Sequence, residues 1–188
     1  MEALLARIQL PPVAEMSSEQ RSVHDEAAAG PRGHAPAPML AWLQNPEFAR
    51  RSQKLGELIR FQLSLPARLR ELAVLIVARY WVAHFEWLVH KREALKHGLS
   101  VKIVEAIAAR RRPPFESEQE RLVYEISTSI LETRLVPGPL YQEGVRELGE
   151  QGMVELVGVI GYYTLVSMTL VTFEIGLPES LQSELLDT

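Results

Sequence analysis

The stretch of sequence that decides the fold runs from Arg70 to Gly98 and reads RELAVLIVARYWVAHFEWLVHKREALKHG. Apolar residues recur through it at the three- and four-residue spacing of a helix. Gly98 then supplies a standard helix stop. Ionisable residues lie inside this apolar pattern, among them Glu71, Glu86 and His90. The stretch therefore predicts helical structure that carries polar groups within an apolar helical face.

The spacing of these three residues predicts a break in the helix. Glu86 and His90 are four residues apart, so they are neighbours on one helix face. Glu71 shares that broad face on a straight helix, but it lies about 22 Å from Glu86 along the axis. Direct contact with Glu71 therefore requires a break, which we place between Tyr80 and Ala83.

The pairing of Glu86 with His90 has two interpretations. A carboxylate beside an imidazole forms a general acid–base pair, because it orients the ring and raises its pKa. The competing interpretation is a surface pair on a helix, which contributes about 0.3 kcal/mol. Spacing alone favours the surface pair.

The rest of the chain reads as helices joined by short loops. Helix start signals occur at Ser17, at Asn45-Pro46, at Pro66, at Ser100 and at Ser117. No segment shows the period-two alternation of a strand. We therefore predict an all-α fold with about seven or eight helices.

Composition excludes several classes of function. The chain has 188 residues and a formal net charge of −4, which argues against a nucleic-acid-binding protein. It has no cysteine, which excludes disulfide scaffolds, thiolate metal sites, cysteine nucleophiles and thiol redox chemistry. Its first sixteen residues lack the pattern of a secretory signal, so we expect a cytoplasmic location.

One segment has the length considered for a membrane span. Residues 156–173 carry no charge over 18 positions. Glu155 and Glu174 flank the segment, where lysine or arginine anchors are typical of a span. We therefore expect no membrane contact and a helix that is buried on all sides within an oligomer.

Several motifs together resemble the carboxymuconolactone decarboxylase family, which shares the all-helical fold of the alkylhydroperoxidase AhpD. The matching motifs are Arg70-Glu71-Leu72-Ala73, Glu86-Trp87-x-x-His90 and Gly98-Leu99-Ser100. Residues 155–163 are similar to the last long helix of that family. The resemblance implies one compact domain, in which a helical extension (residues 1–60) packs on the family core (residues 61–188).

The resemblance departs from AhpD at the thiols. The AhpD signature is a glutamate, eleven residues, Cys-x-x-Cys, three residues and a histidine. When it is aligned on Glu71 and His90, its cysteines fall on Ala83 and Glu86. Disulfide-based peroxide reduction is therefore excluded. The remaining residues match the decarboxylase-like branch, in which Glu-Trp-x-x-His replaces the thiol motif.

That branch implies a lyase or isomerase that needs no cofactor and acts on a small carboxylated or lactone-like molecule. We expect His90 to transfer the proton and Glu86 or Glu71 to orient it. The alternative function is a non-catalytic helical oligomer that binds a small molecule or a protein partner. The resemblance supports the fold more than the reaction, because one fold hosts several chemistries.

Further residues are candidates for substrate binding. On a continuous helix, Arg79 lies on the His90 side, eleven residues away, and is expected to hold a substrate carboxylate. Tyr80 and Trp87 are expected to form pocket walls. The competing interpretations are a solvent-facing arginine and core aromatics. The basic turn at residues 110–112 either attracts an anion or is a solvated helix end.

We expect neither a metal nor a cofactor, since a single carboxylate–histidine pair has helical ligand spacing. Members of the resembled family assemble as trimers or hexamers. The resemblance therefore implies a homo-oligomer of that kind, with a dimer as the alternative.

Overall fold

The computed structural model describes residues 6–177 and 181–185. Within these residues the chain forms α-helices, a short 3-10 turn at Val13–Glu15, and no strand. The helices are α1 (Ser18–Ala29), α2 (Met39–Trp42), α3 (Pro46–Phe61), α4 (Ala67–Tyr80), α5 (His84–Lys96), α6 (Val101–Ala108), α7 (Glu118–Thr133) and α8 (Gly138–Thr172). The predicted all-α fold is confirmed.

Three helix starts follow the capping signals of the sequence, whereas Ser100 precedes α6 without a side-chain cap hydrogen bond. The Ser17 side chain accepts a hydrogen bond from the Gln20 backbone N–H, and the Gln20 side-chain oxygen accepts one from the Ser17 backbone N–H. Ser117 and Glu120 form the same capping box at the start of α7. The Asn45 side chain caps α3. These side chains satisfy backbone N–H groups that the first helical turn leaves without partners.

The predicted break separates α4 from α5. Helix α4 ends at Tyr80 and α5 begins at His84. Val82 lies between them with φ of 53°, a left-handed value that β-branched residues rarely adopt. The Ala83 N–H donates to the Ala78 carbonyl at 2.9 Å and closes the turn. The chain therefore folds back, and α5 packs against α4.

Helix α4 lies at the centre of the molecule. It packs against α5, α6, α7 and α8, and all residues from Leu69 to Arg79 are buried. A helix that is apolar around most of its circumference is stable only when other elements surround it. The polar side chains of α4 therefore need partners within the core, and Glu71 is one of them.

Helix α8 is the longest helix and contains a break at Gly149, where φ is 73° and ψ is 168°. Among the described residues it is the one helix long and apolar enough to span a membrane by length and composition. It packs against α3, α4 and α7, as a core helix does. The expectation that residues 156–173 are buried on all sides is not met within one chain, because Val157 and Val171 are 53% and 46% exposed.

We expect Gly149→Ala to lower the free energy of unfolding by about 1–3 kcal/mol, because a side chain is strained at this φ and ψ. A Cβ at Gly149 meets no atom within 4 Å, so the loss isolates the backbone effect. Gly138→Ala is the matched control, since its Cβ also meets open space and its φ is not left-handed. Urea unfolding measures both, and an equal stability of the two variants contradicts the prediction.

Candidate functional site

The buried centre of the site is His90, which lies between two carboxylates. Its Nδ1 is 2.5 Å from Oε2 of Glu71, and its Nε2 is 2.9 Å from Oε1 of Glu86. Glu71 belongs to α4, whereas Glu86 and His90 belong to α5. His90 is 2% exposed and Glu71 is 1% exposed. The Glu86–His90 pair is therefore part of the core and not a surface pair.

Arg70 extends this cluster on the side of Glu71. Its Nε and Nη2 atoms donate to Oε1 of Glu71 at 3.2 and 3.1 Å. The charges alternate from Arg70 through Glu71 and His90 to Glu86. Buried charges are tolerated when they are paired and hydrogen-bonded in this way.

The two carboxylates change the protonation of His90. Burial lowers the pKa of His90, but the charges and hydrogen bonds of Glu71 and Glu86 outweigh burial and raise its pKa from 6.5 to about 9. Burial raises the pKa of Glu71, but the charges and hydrogen bonds of His90 and Arg70 hold it below its ordinary value. His90 is therefore an imidazolium at neutral pH, and Glu71 is a carboxylate.

Two tyrosines of α8 pack beside His90. The Tyr163 ring meets the His90 ring edge to face at 4.8 Å, and Tyr162 packs against Tyr163. Burial raises the pKa of each tyrosine well above 10, so both keep their protons. A Cβ on Gly56 would lie 2.1 Å from the Tyr162 hydroxyl. Glycine is therefore required where α3 approaches this tyrosine.

A cavity of about 610 Å³ adjoins the cluster. Glu86 and His90 form part of its wall, together with Tyr162 and Tyr163. Most of the remaining wall is apolar and comes from residues 6–16 and 35–43. This volume and lining are typical of a small-molecule site.

The N-terminal segment is tied down over this cavity. The Arg7 N–H donates to the Phe173 carbonyl at 2.8 Å. The Gln44 side chain donates to the Gln9 carbonyl at 3.2 Å. Residues 6–16 are therefore held against the end of α8 and the loop after α2, where they complete the cavity wall.

The cavity also contains two arginines, Arg32 and Arg60, that the sequence analysis did not select. Arg32 lies in the loop between α1 and α2, and Arg60 lies in the last turn of α3. They are 58 and 30 residues from His90 in sequence (90 − 32 and 90 − 60). No local pattern connects residues so far apart, so only the packing of α3 and the loop reveals them.

The structure places two predicted substrate-binding residues elsewhere. Arg79 donates from Nε to the Ala108 carbonyl at 2.9 Å. Arg79 and Tyr80 line a separate cavity of about 270 Å³, together with Arg110 and Arg111. The helical wheel failed for Arg79 because the turn at Val82 gives α5 a new axis.

Trp87 and Arg112 have structural partners. Trp87 is buried in the core, and its indole N–H donates to Glu184 at 3.2 Å. It is not among the residues of the His90 cavity wall. Arg112 forms an ion pair with Glu125 at 2.6 Å.

The carboxylates of Glu71 and Glu86 contact opposite nitrogens of His90. Their oxygen atoms therefore do not converge on one point, as ligands of a metal do. The described residues contain no group of three or more potential ligands placed to hold a metal ion. What the arrangement offers is a chain of hydrogen bonds through which a proton can pass between Glu71, His90 and Glu86.

Comparison with solved structures places this architecture in a fold class. A protein of unknown function from Agrobacterium tumefaciens, proposed as an AhpD antioxidant-defence protein, matches with a TM-score of 0.64 and 19% identity, over 72% of this chain and 93% of its own. An uncharacterised peroxidase-related protein from Ralstonia eutropha with an alkylhydroperoxidase AhpD core matches with a TM-score of 0.76 and 12% identity, over 95% of both chains.

The chain therefore has the AhpD-like fold that the motifs around Glu71 and His90 imply. Identities this low show the fold alone. No family model and no curated protein matches the sequence. This AhpD-like chain contains no cysteine, and Glu86 stands at a thiol position of the AhpD signature.

We expect the stability of the protein to fall as pH rises from 6.5 to 9. Folding raises the pKa of His90 from 6.5 to about 9, so the folded state binds this proton more tightly than the unfolded chain does. The resulting stabilisation is complete below pH 6.5 and is lost by about 3 kcal/mol as His90 deprotonates in the folded state. Urea unfolding between pH 6.5 and 9 measures the loss.

His97→Gln is the control for this pH dependence, because His97 lies at the partly exposed end of α5. This variant should lose as much stability between pH 6.5 and 9 as the wild type does. His90→Gln should abolish the loss. A wild-type stability that stays constant or rises over this range is inconsistent with a protonated His90.

Proposed function

We propose that this protein is a cofactor-independent lyase of the carboxymuconolactone decarboxylase type, which acts on a small carboxylated or lactone-like molecule. One observation carries the proposal: the buried Glu71–His90–Glu86 chain ends at the wall of a cavity large enough for such a molecule. A perturbed pKa beside an apolar cavity is typical of acid–base catalysis.

In the proposed reaction, a carbon–carbon bond breaks and the substrate carboxylate leaves as CO₂. Its electron pair enters a conjugated carbonyl system and forms an enolate. An acid must then deliver a proton to carbon. A cationic His90 next to the cavity stabilises the developing negative charge, because preorganised charge is most effective where water is excluded.

The contacts assign different roles to the two glutamates. Both ring nitrogens of His90 are occupied, Nδ1 by Glu71 and Nε2 by Glu86. Glu86 lines the cavity, so it is the carboxyl group that passes the proton between His90 and substrate. Glu71, held by Arg70, orients the ring and stabilises the imidazolium.

Replacing the acid–base residues should remove turnover. With a γ-carboxymuconolactone-type substrate, we expect His90→Gln and Glu86→Gln each to lower kcat/KM by about 100-fold or more. The loss of substrate ultraviolet absorbance and the release of CO₂ measure the rate. Wild-type activity should also fall as pH rises through about 9, because His90 then loses its proton.

His97→Gln is again the matched control, and it should retain wild-type turnover. Circular dichroism and thermal unfolding verify that the inactive variants are folded. Wild-type rates in folded His90→Gln and Glu86→Gln would refute the assigned roles. No turnover by the wild type would favour the non-catalytic binding oligomer.

We also propose that the protein assembles as a homo-oligomer, with a trimer or hexamer favoured. One face of α8 carries exposed apolar residues, including Val154, Val157 and Met168. These positions lie within about 60° of one another on a helical wheel and form a stripe. Apolar stripes of this kind are typical of interfaces between protein chains.

Val157→Lys should therefore reduce the molar mass measured by light scattering in solution. Leu135→Lys is the control, because Leu135 is 65% exposed but lies outside α8. The wild type and the control should have the same oligomeric mass. A monomeric wild type, or an unchanged mass in Val157→Lys, contradicts this assembly.

A further inference from the structure

Two guanidinium groups face the His90 cavity without a carboxylate partner in residues 6–177 and 181–185. Arg60 lies over the Phe61 ring at 5.6 Å, and Arg32 Nε is buried without a hydrogen-bond partner there. Other arginines do form ion pairs: Arg50, Arg51, Arg68, Arg112 and Arg121 each contact a glutamate. A buried donor without a partner is costly, so an acceptor at Arg32 is favoured.

Arg32, Arg60 and Glu86 line the same cavity as Tyr162. Burial raises the pKa of Tyr162, the nearby charge of Glu86 adds to this effect, and the charges of Arg32 and Arg60 oppose it. Gly56 lies one turn before Arg60 on α3 and is in contact with the Tyr162 hydroxyl. Arg32 and Arg60 therefore share a cavity with Glu86, which ends the hydrogen-bonded chain through His90.

The charge balance of the cavity favours an anionic ligand. The inner cluster is neutral, because the positive charges of Arg70 and His90 balance the carboxylates of Glu71 and Glu86. Arg32 and Arg60 then add two positive charges, in a chain whose formal net charge is −4. Planar guanidinium groups match the geometry of a carboxylate.

The remaining wall of the cavity favours an apolar body on this anion. Ile8, Leu10, Pro11, Pro36 and Met39 are among its apolar lining residues. A short, fully polar dicarboxylate would leave this wall without apolar contact. The volume of about 610 Å³ leaves room for a chain or ring beyond the carboxylate.

We propose that Arg32 and Arg60 together bind the carboxylate of an amphipathic substrate, whose apolar body packs against the N-terminal segment and the loop after α1. The substrate class is thus a carboxylate attached to an apolar chain or ring. The claim that Glu86 then acts on this ligand rests on the proposed function. The binding itself does not require turnover.

Isothermal titration calorimetry of the full chain with octanoate tests the proposal, with 1-octanol as the uncharged counterpart. Octanoate should bind the wild type, and 1-octanol should bind at least about 10-fold more weakly. Arg32→Gln and Arg60→Gln should each weaken octanoate binding by about 10-fold or more, because each removes charge-assisted hydrogen bonds. Arg146→Gln removes a positive charge at a largely exposed site and should change nothing.

The variant Glu86→Gln distinguishes ligand binding from turnover, because it should lose turnover and keep binding. This variant should bind octanoate at least as tightly as the wild type, since it removes a negative charge from the cavity. Three results would overturn the proposal: no octanoate binding at roughly 10 mM ligand, unchanged affinity in both arginine variants, or equal binding of 1-octanol. None of these three binding results contradicts the acid–base proposal. Conversely, a variant that loses turnover but still binds octanoate does not contradict the proposed role of Arg32 and Arg60.

Discussion

The structure depends on the burial of a charged His90 between Glu71 and Glu86. Removing three charges from water is costly, and the cost is offset only because each charge contacts an opposite one. The contacts require α4 and α5 to lie side by side. The left-handed Val82 makes that packing possible, since it reverses the chain within a few residues. The charge contacts of the site and the packing of α4 against α5 therefore depend on each other.

In the proposed function, the same cluster gives an AhpD-like fold acid–base groups in place of thiols. Glu86 lies in the first turn of α5, at a position where the AhpD signature has a cysteine. There it contacts Nε2 of His90 and also lines the cavity. Under the proposed function, a carboxyl group at this position exchanges protons, whereas a thiol pair exchanges electrons. The fold is shared with an uncharacterised peroxidase-related protein, and one fold hosts several chemistries.

The N-terminal third of the chain shapes the cavity beside His90. Helix α3 approaches α8 closely at Gly56, and the segment before α1 is hydrogen-bonded to the end of α8. These contacts make one face of the central helices part of the wall of a largely apolar cavity. They also bring Arg32 and Arg60 to it. The hydrogen-bonded chain Glu71–His90–Glu86 thus comes from α4 and α5, whereas most of the cavity wall comes from elements that precede them.

The sequence by itself determined the all-helical fold, the capping roles of Ser17, Asn45 and Ser117, and the break before His84, because these features depend on local spacing. The contact of Glu71 with His90 joins two helices and depends on how they pack. Only the tertiary structure decided that Arg79 lies in a different cavity from His90, and that Arg32 and Arg60 share the cavity of Glu86. Periodicity reports which residues share a face of one helix. Which helix faces meet depends on the direction that each helix axis takes after the preceding turn. That direction is set by packing between segments far apart in sequence.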